Sequence, residues 1–280
     1  MNEREPRDYD RLLPETRRVL HDVQECTGRP VEIRPEPRVR GRGRADYVVT
    51  ERSRVRDLVL YDPQEGMYLD HLVAHECGHI LRFSQAQPNE QTVPIMTIAR
   101  RNDAISQLEP ELIDLASRGF PALALIGAVN IWLSGTVAQL SDTPADIRIE
   151  EWLFHEYPGL REAQKSSLER QSRMLSLVLK PAVVELTPPS LWRASTSMNY
   201  ALTKAVSRLF SEPSWMAAYR DAEVTALGDE LLAMVDDLPG RGLASERGLS
   251  QQWAARLGVS EWLEWRTLDS LPADFRHAWE

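Results

Sequence analysis

Residues 72–83 read LVAHECGHILRF, and the His75-Glu76-Cys77-Gly78-His79 run inside them constrains the fold more than any other part of the chain. On a helix, residues i and i+4 lie on one face about a turn apart. Leu72, Val73, Ile80 and Phe83 supply an apolar side, so the spacing predicts an amphipathic helix over about 67–84. Gly78 is costly there, by about 1 kcal/mol against Ala. Its missing side chain leaves room for a strand or a substrate backbone to approach.

On such a helix His75 and His79 point two imidazoles at one metal ion. Glu76 sits one residue round from His75, where it reaches a metal-bound water without being a ligand. Zinc lowers the pKa of that water towards neutrality, and a carboxylate then takes its proton. The expected cofactor is therefore Zn2+, with His75 and His79 as ligands and Glu76 as the catalytic base. His71 shares the face, but from His71 to His79 the helix rises about 12 Å. One tetrahedral ion does not collect all three, so His71 is expected at the surface or behind the ligands. Cys77 points away from the histidine face and reads as a small buried residue.

A catalytic zinc site usually has three protein ligands. No histidine follows His79 at short range, so the third ligand is sought on another helix. The densest stretch is SDTPADIRIEEWLFHEYP, residues 141–158. Thr143 fits an N-cap, Pro144 the first helical residue and Asp146 the acid of a capping box. Glu150 lies one turn beyond Asp146 on the same face, bordering an apolar stripe of Ile149, Trp152 and Leu153. A carboxylate against such a stripe needs a compensating charge, which zinc supplies. Glu150 is the expected third ligand. Asp146 is the alternative ligand, or the partner of a ligand histidine's free N–H. Glu151 and His155 are the remaining choices.

Around the motif the chain changes texture. A helix is expected over 8–27, then short strands near 31–34, 46–50 and 57–61. Beyond residue 100 the expected helices are 103–118, 122–140, 144–156, 160–179, 190–210, 214–236 and 249–267. The expected class is α+β, mainly α, with a small sheet just before the motif helix and a helical region after it. Residues 121–140 carry no charge over 20 positions, long enough to cross a bilayer. Asn130, Ser134, Gly135, Thr136 and Gln139 dilute the stretch, and a buried helix in a soluble core is the simpler expectation, with no membrane span. A net charge of -9 argues against a general nucleic-acid binder. Two cysteines make no disulfide framework, and the N-terminus lacks the apolar core of a secretory signal, so the expected location is the cytoplasm.

With these residues in place, the chain resembles the gluzincin metallopeptidases, which carry H-E-x-x-H on one helix and a glutamate ligand on a later one. The strands before the motif helix and the His-Glu-x-Gly-His form are similar, more specifically, to the ImmA/IrrE-type group. The resemblance covers about residues 45–156. It implies a zincin-like core in a domain spanning 1–160, with a helical region, 161–280, packed on it. It implies His75 and His79 as ligands, Glu76 as general base and acid, and an intracellular enzyme acting on regulatory proteins. A transition-state donor, Tyr or His, is also implied, and Tyr157, His155 and Tyr200 are its candidates. The chain departs from the group in the 71-residue separation of His79 and Glu150, which spans two whole helices. These are an insertion or the mark of a more distant branch. The expected function is zinc-dependent hydrolysis of peptide bonds in a protein or peptide substrate, which by the resemblance is a specific regulatory protein. The alternative is a non-enzymatic regulator of zincin fold whose helical second half binds a protein partner.

Two weaker signals complete the reading. Arginines at 38, 40, 42 and 44 and again at 52, 54 and 56 alternate as on strands. They read as a solvated hairpin edge in preference to a basic comb for an acidic partner. LSQQWAARLGVSEWLEW, 249–265, has small residues where a helix-turn-helix has them. But Glu264 falls where the second helix buries an apolar residue, and it and Glu261 would face phosphates unfavourably. A helical corner is expected, and no DNA binding.

Overall fold

The computed structural model describes residues 8–35, 44–50, 53–238 and 242–271. In chain order the elements are α1 (Pro14–Thr27), β1 (Val31–Pro35), β2 (Arg44–Thr50), β3 (Ser53–Tyr61), α2 (Leu69–Gln85), β4 (Thr92–Ile95), α3 (Ile98–Ser117) and α4 (Ala122–Glu156). Then follow α5 (Arg161–Leu175), α6 (Pro181–Leu186), α7 (Pro189–Phe210), α8 (Ala222–Asp237), α9 (Leu243–Leu257) and β5 (Glu264–Thr267). The class is α+β and mainly helical, as expected. The chain forms two compact units. Among the described residues one comprises those up to 88, 148–170 and 271, the other those within 89–147 and 171–270. The expected single cut near 160 is therefore not where the units divide. Residues 89–147 enter the second unit and return along α4, which accounts for the long gap between His79 and Glu150.

In the first unit β3 is the central strand, with β1 parallel on one side and β2 antiparallel on the other. Its core gathers Val19, Leu20 and Val23 of α1, Val31, Val59, and Val73, Ala74, Cys77 and Ile80 of α2. Ile149 and Leu153 of α4, with Tyr157 and Leu160, close it. The i, i+3, i+4 recurrence in α1 and α2 is what presents these residues on one face. Asp70 fixes the start of α2 against α1, accepting from the Leu13 amide at 2.7 Å and the Thr16 hydroxyl at 2.6 Å. Gly78 serves this packing and not the approach of a strand. A Cβ there would stand 2.7 Å from Cγ2 of Ile149, a branched methyl that does not swing aside. The cost of a helical glycine is offset by the close approach of α4.

Several expectations change. The helices expected at 122–140 and 144–156 are one helix, α4, with Pro144 inside it. Thr143 is buried in that helix and caps nothing. Pro144 removes one hydrogen bond, a cost of about 3 kcal/mol. The buried row Leu125, Val129, Leu133, Val137, Leu140 and Ile147 runs straight past it and holds the helix together. The same helix corrects the enclosed helix expected at 121–140. Leu123, Ile126 and Ile131 are 86%, 63% and 74% exposed. By length and composition α4 is able to cross a membrane, and 33% of its most apolar window is buried.

At the other end, the helix expected over 249–267 stops at Leu257, where Gly258 takes a left-handed φ of 74° and caps it. Trp262 is buried, its indole N–H donating to Gln107 Oε1 at 2.7 Å. Residues Glu264–Thr267 then pair with β4 as a two-stranded ribbon. No second α-helix follows α9 among the described residues up to Leu271, only short 3-10 turns, so the helix-turn-helix comparison ends there. Of the arginine series, Arg38, Arg40, Arg42 and Arg52 lie outside the described residues. Arg44 and Arg54 stand on the paired strands β2 and β3, and Arg56 pairs with Glu32.

Candidate metal centre

α2 places His71, His75 and His79 on successive turns of one face, and α4 brings Glu150 against the first two. His71 is 3% exposed and Glu150 2%, while His75 and His79 are half-buried. Nε2 of His75 and Nε2 of His79 face each other at 3.2 Å, with the rings edge to face. Glu150 meets the opposite edge of His75, Oε1 lying 2.7 Å from Nδ1. Its two oxygens also lie 3.0 Å each from Nε2 of His71. Gln164 of α5 donates its amide to Oε2 at 2.6 Å and to the Glu150 backbone carbonyl at 2.9 Å.

An ionised carboxylate only accepts. His75 therefore carries its proton on Nδ1 and turns a lone pair out at Nε2. Burial works to raise the Glu150 pKa. The charge of His71, then its hydrogen bond and those of His75, outweigh burial and hold the carboxyl well below the usual carboxylate range. Cys77 is fully buried; burial first, then Glu76 and Asp57, push its thiol far above the ordinary cysteine value. It is a packing residue, as expected.

No family model matches this chain, and no curated protein and no solved structure is significantly similar to it. What the site is able to do rests on its own geometry. Two nitrogens held about 2.0–2.1 Å from a zinc ion at a tetrahedral angle stand about 3.3 Å apart. The facing Nε2 atoms of His75 and His79 match that separation, and a carboxylate behind a ligand histidine is the usual means of orienting it. The donor set fits a zinc ion.

The expected ligand trio of His75, His79 and Glu150 is not the arrangement found, because the Glu150 carboxylate sits behind the His75 ring and not where the two Nε2 atoms meet. Asp146 is half-buried on α4, one turn before Glu150 on the same helix face. Glu76 is half-buried on α2 beside His75. The three candidate transition-state donors are engaged in other contacts. The Tyr157 hydroxyl donates to Asp22 of α1 at 2.9 Å; burial and that bond push its phenol up. Its ring stands edge-on to Trp152 in the core. His155 is exposed and stacks edge-on to Phe154, well round the helix from Glu150. Tyr200 belongs to the second unit, where its hydroxyl accepts from Lys204 at 3.2 Å. His71, expected at the surface or behind the ligands, is buried behind His75 on the Glu150 carboxylate, whereas Gln164 was not expected as part of the cluster. The only sequence signal was the i, i+4 repeat that His71 begins.

Proposed function

We propose that this chain is a zinc-dependent metallopeptidase of gluzincin-like design. The observation that carries the reading is the pair of Nε2 atoms 3.2 Å apart, with one ring held from behind by a buried carboxylate. His75 and His79 hold the ion. Glu150 orients His75, and Asp146, the carboxylate one turn earlier on α4, is the alternative third ligand that the sequence offers. A bound zinc ion supplies Lewis acidity to a water and to the peptide carbonyl. Glu76 takes a proton from the attacking water and delivers it to the leaving amine. The substrate class is a protein or peptide, and the resemblance favours a specific regulatory protein in the cytoplasm.

One contact favours the non-enzymatic alternative. Arg82 Nη1 lies 3.0 Å from Nδ1 of His79. A guanidinium only donates, so His79 accepts there and keeps its own proton on Nε2, facing His75. A metal ion at Nε2 of His79 would require that proton on Nδ1, in place of the contact from Arg82. In a regulator that works without metal, the ordered sequence Arg82, His79, His75, Glu150 is itself the purpose of the cluster.

Chelation separates the two readings. On a denatured protein substrate such as casein, the peptidase reading predicts hydrolysis that a chelator abolishes and stoichiometric zinc restores. Hydrolysis unaffected by chelation, or none at any zinc concentration across a panel of unfolded proteins, contradicts it.

A further inference from the structure

We infer that His71, one turn before the H-E-C-G-H run, is a positioning residue that fixes His75 through Glu150. The inference rests on the metal reading above. His71 Nε2 lies 3.0 Å from each oxygen of Glu150, so it spans the carboxylate and sets the plane in which it lies. Gln164 grips Oε2 and the backbone carbonyl of the same residue. Oε1 is then held 2.7 Å from Nδ1 of His75. Three donors on one buried carboxylate leave it a single orientation, and that orientation decides which nitrogen of His75 bears the proton and where Nε2 points.

His71 is not there for stability alone. Its Nδ1 is buried and meets no hydrogen-bond partner. An unpartnered buried polar atom is destabilising, and an apolar side chain of similar size at a core position would avoid that cost. Its neighbours on the helix, Val73 and Ala74, are fully buried apolar residues, so the position is suited to one. A histidine held at such a place, with its one bonded nitrogen on the carboxylate behind His75, is explained by what it does to that carboxylate.

The test is zinc affinity of the whole chain, measured by competition with a chelating indicator, with thermal unfolding recorded alongside. His71→Phe fills the space without a donor and is expected to bind zinc about 10–100-fold more weakly while keeping the same stoichiometry. His71→Gln, which returns an amide donor, is expected to recover most of the loss. A role in packing alone predicts the reverse order, because Phe fills the site better than Gln. If His71→Phe fails to fold, Gln164→Leu removes a different donor from the same carboxylate and is expected to weaken zinc in the same range. Wild-type affinity in His71→Phe, or in Gln164→Leu where that substitution stands in for it, overturns the inference. No rescue by His71→Gln overturns it as well. A wild-type chain that takes up no zinc is a different failure, that of the metal reading, and removes the inference with it.

Discussion

Glu76→Gln is expected to bind zinc as tightly as the wild type and to lose about 10²–10⁴ of its peptide hydrolysis. Glutamine keeps the shape and the hydrogen-bonding reach of the side chain but accepts no proton at neutral pH. In the reading above, Glu76 holds no metal, so the affinity is untouched. What disappears is the base that takes the proton from water and the acid that returns it to the amine. Turnover and zinc affinity measured on one preparation distinguish this from misfolding or metal loss. Unchanged hydrolysis in Glu76→Gln contradicts the assigned role, and parallel loss of zinc shows that Glu76 is a ligand.

The largest stability effect is expected away from the site. Asp57 of β3 is fully buried, and Arg29 Nε lies 3.1 Å from its Oδ2, the arginine side chain being 20% exposed. Arg29→Met keeps the aliphatic stem and removes the charge. Breaking one side of a buried ion pair costs about 3–5 kcal/mol, because the remaining charge stays in a low-dielectric place. In a chain of this size that lowers the unfolding midpoint by on the order of 10 °C. Arg29→Lys, which keeps the charge, should lose less. A midpoint within a degree of wild type for Arg29→Met would show that Asp57 is stabilised by other neighbours.

The histidine pair was legible because its information is local. Helical periodicity alone brings His75 and His79 to one face, and Leu72, Val73 and Ile80 identify that helix. The three strands were legible for the same reason, in their short β-branched runs. The role of Glu150 was not legible. Which edge of His75 a distant carboxylate meets depends on how α4 lies on α2, and that is set by Ile149 closing on Gly78, a contact 71 positions apart in the chain. Local rules also misjudged α4. Thr143-Pro144 carries a strong start signal, yet a buried row of Leu133, Val137, Leu140 and Ile147 continues through it and outweighs the lost hydrogen bond. Residues 264–267 were drawn into a helix because the window before them is helical. Their strand exists through pairing with Thr92–Ile95, far away in sequence. Tyr157 was a plausible donor by proximity to Glu150, but Asp22 of α1 claims its hydroxyl.

The claim on which all else depends is that His75 and His79 together hold a metal ion. The direct measurement is elemental analysis of the purified chain after zinc is offered and excess removed, wild type beside His79→Ala. The account predicts about one zinc per wild-type chain and none in the variant. No zinc in the wild type, or an undiminished equivalent in His79→Ala, would contradict it.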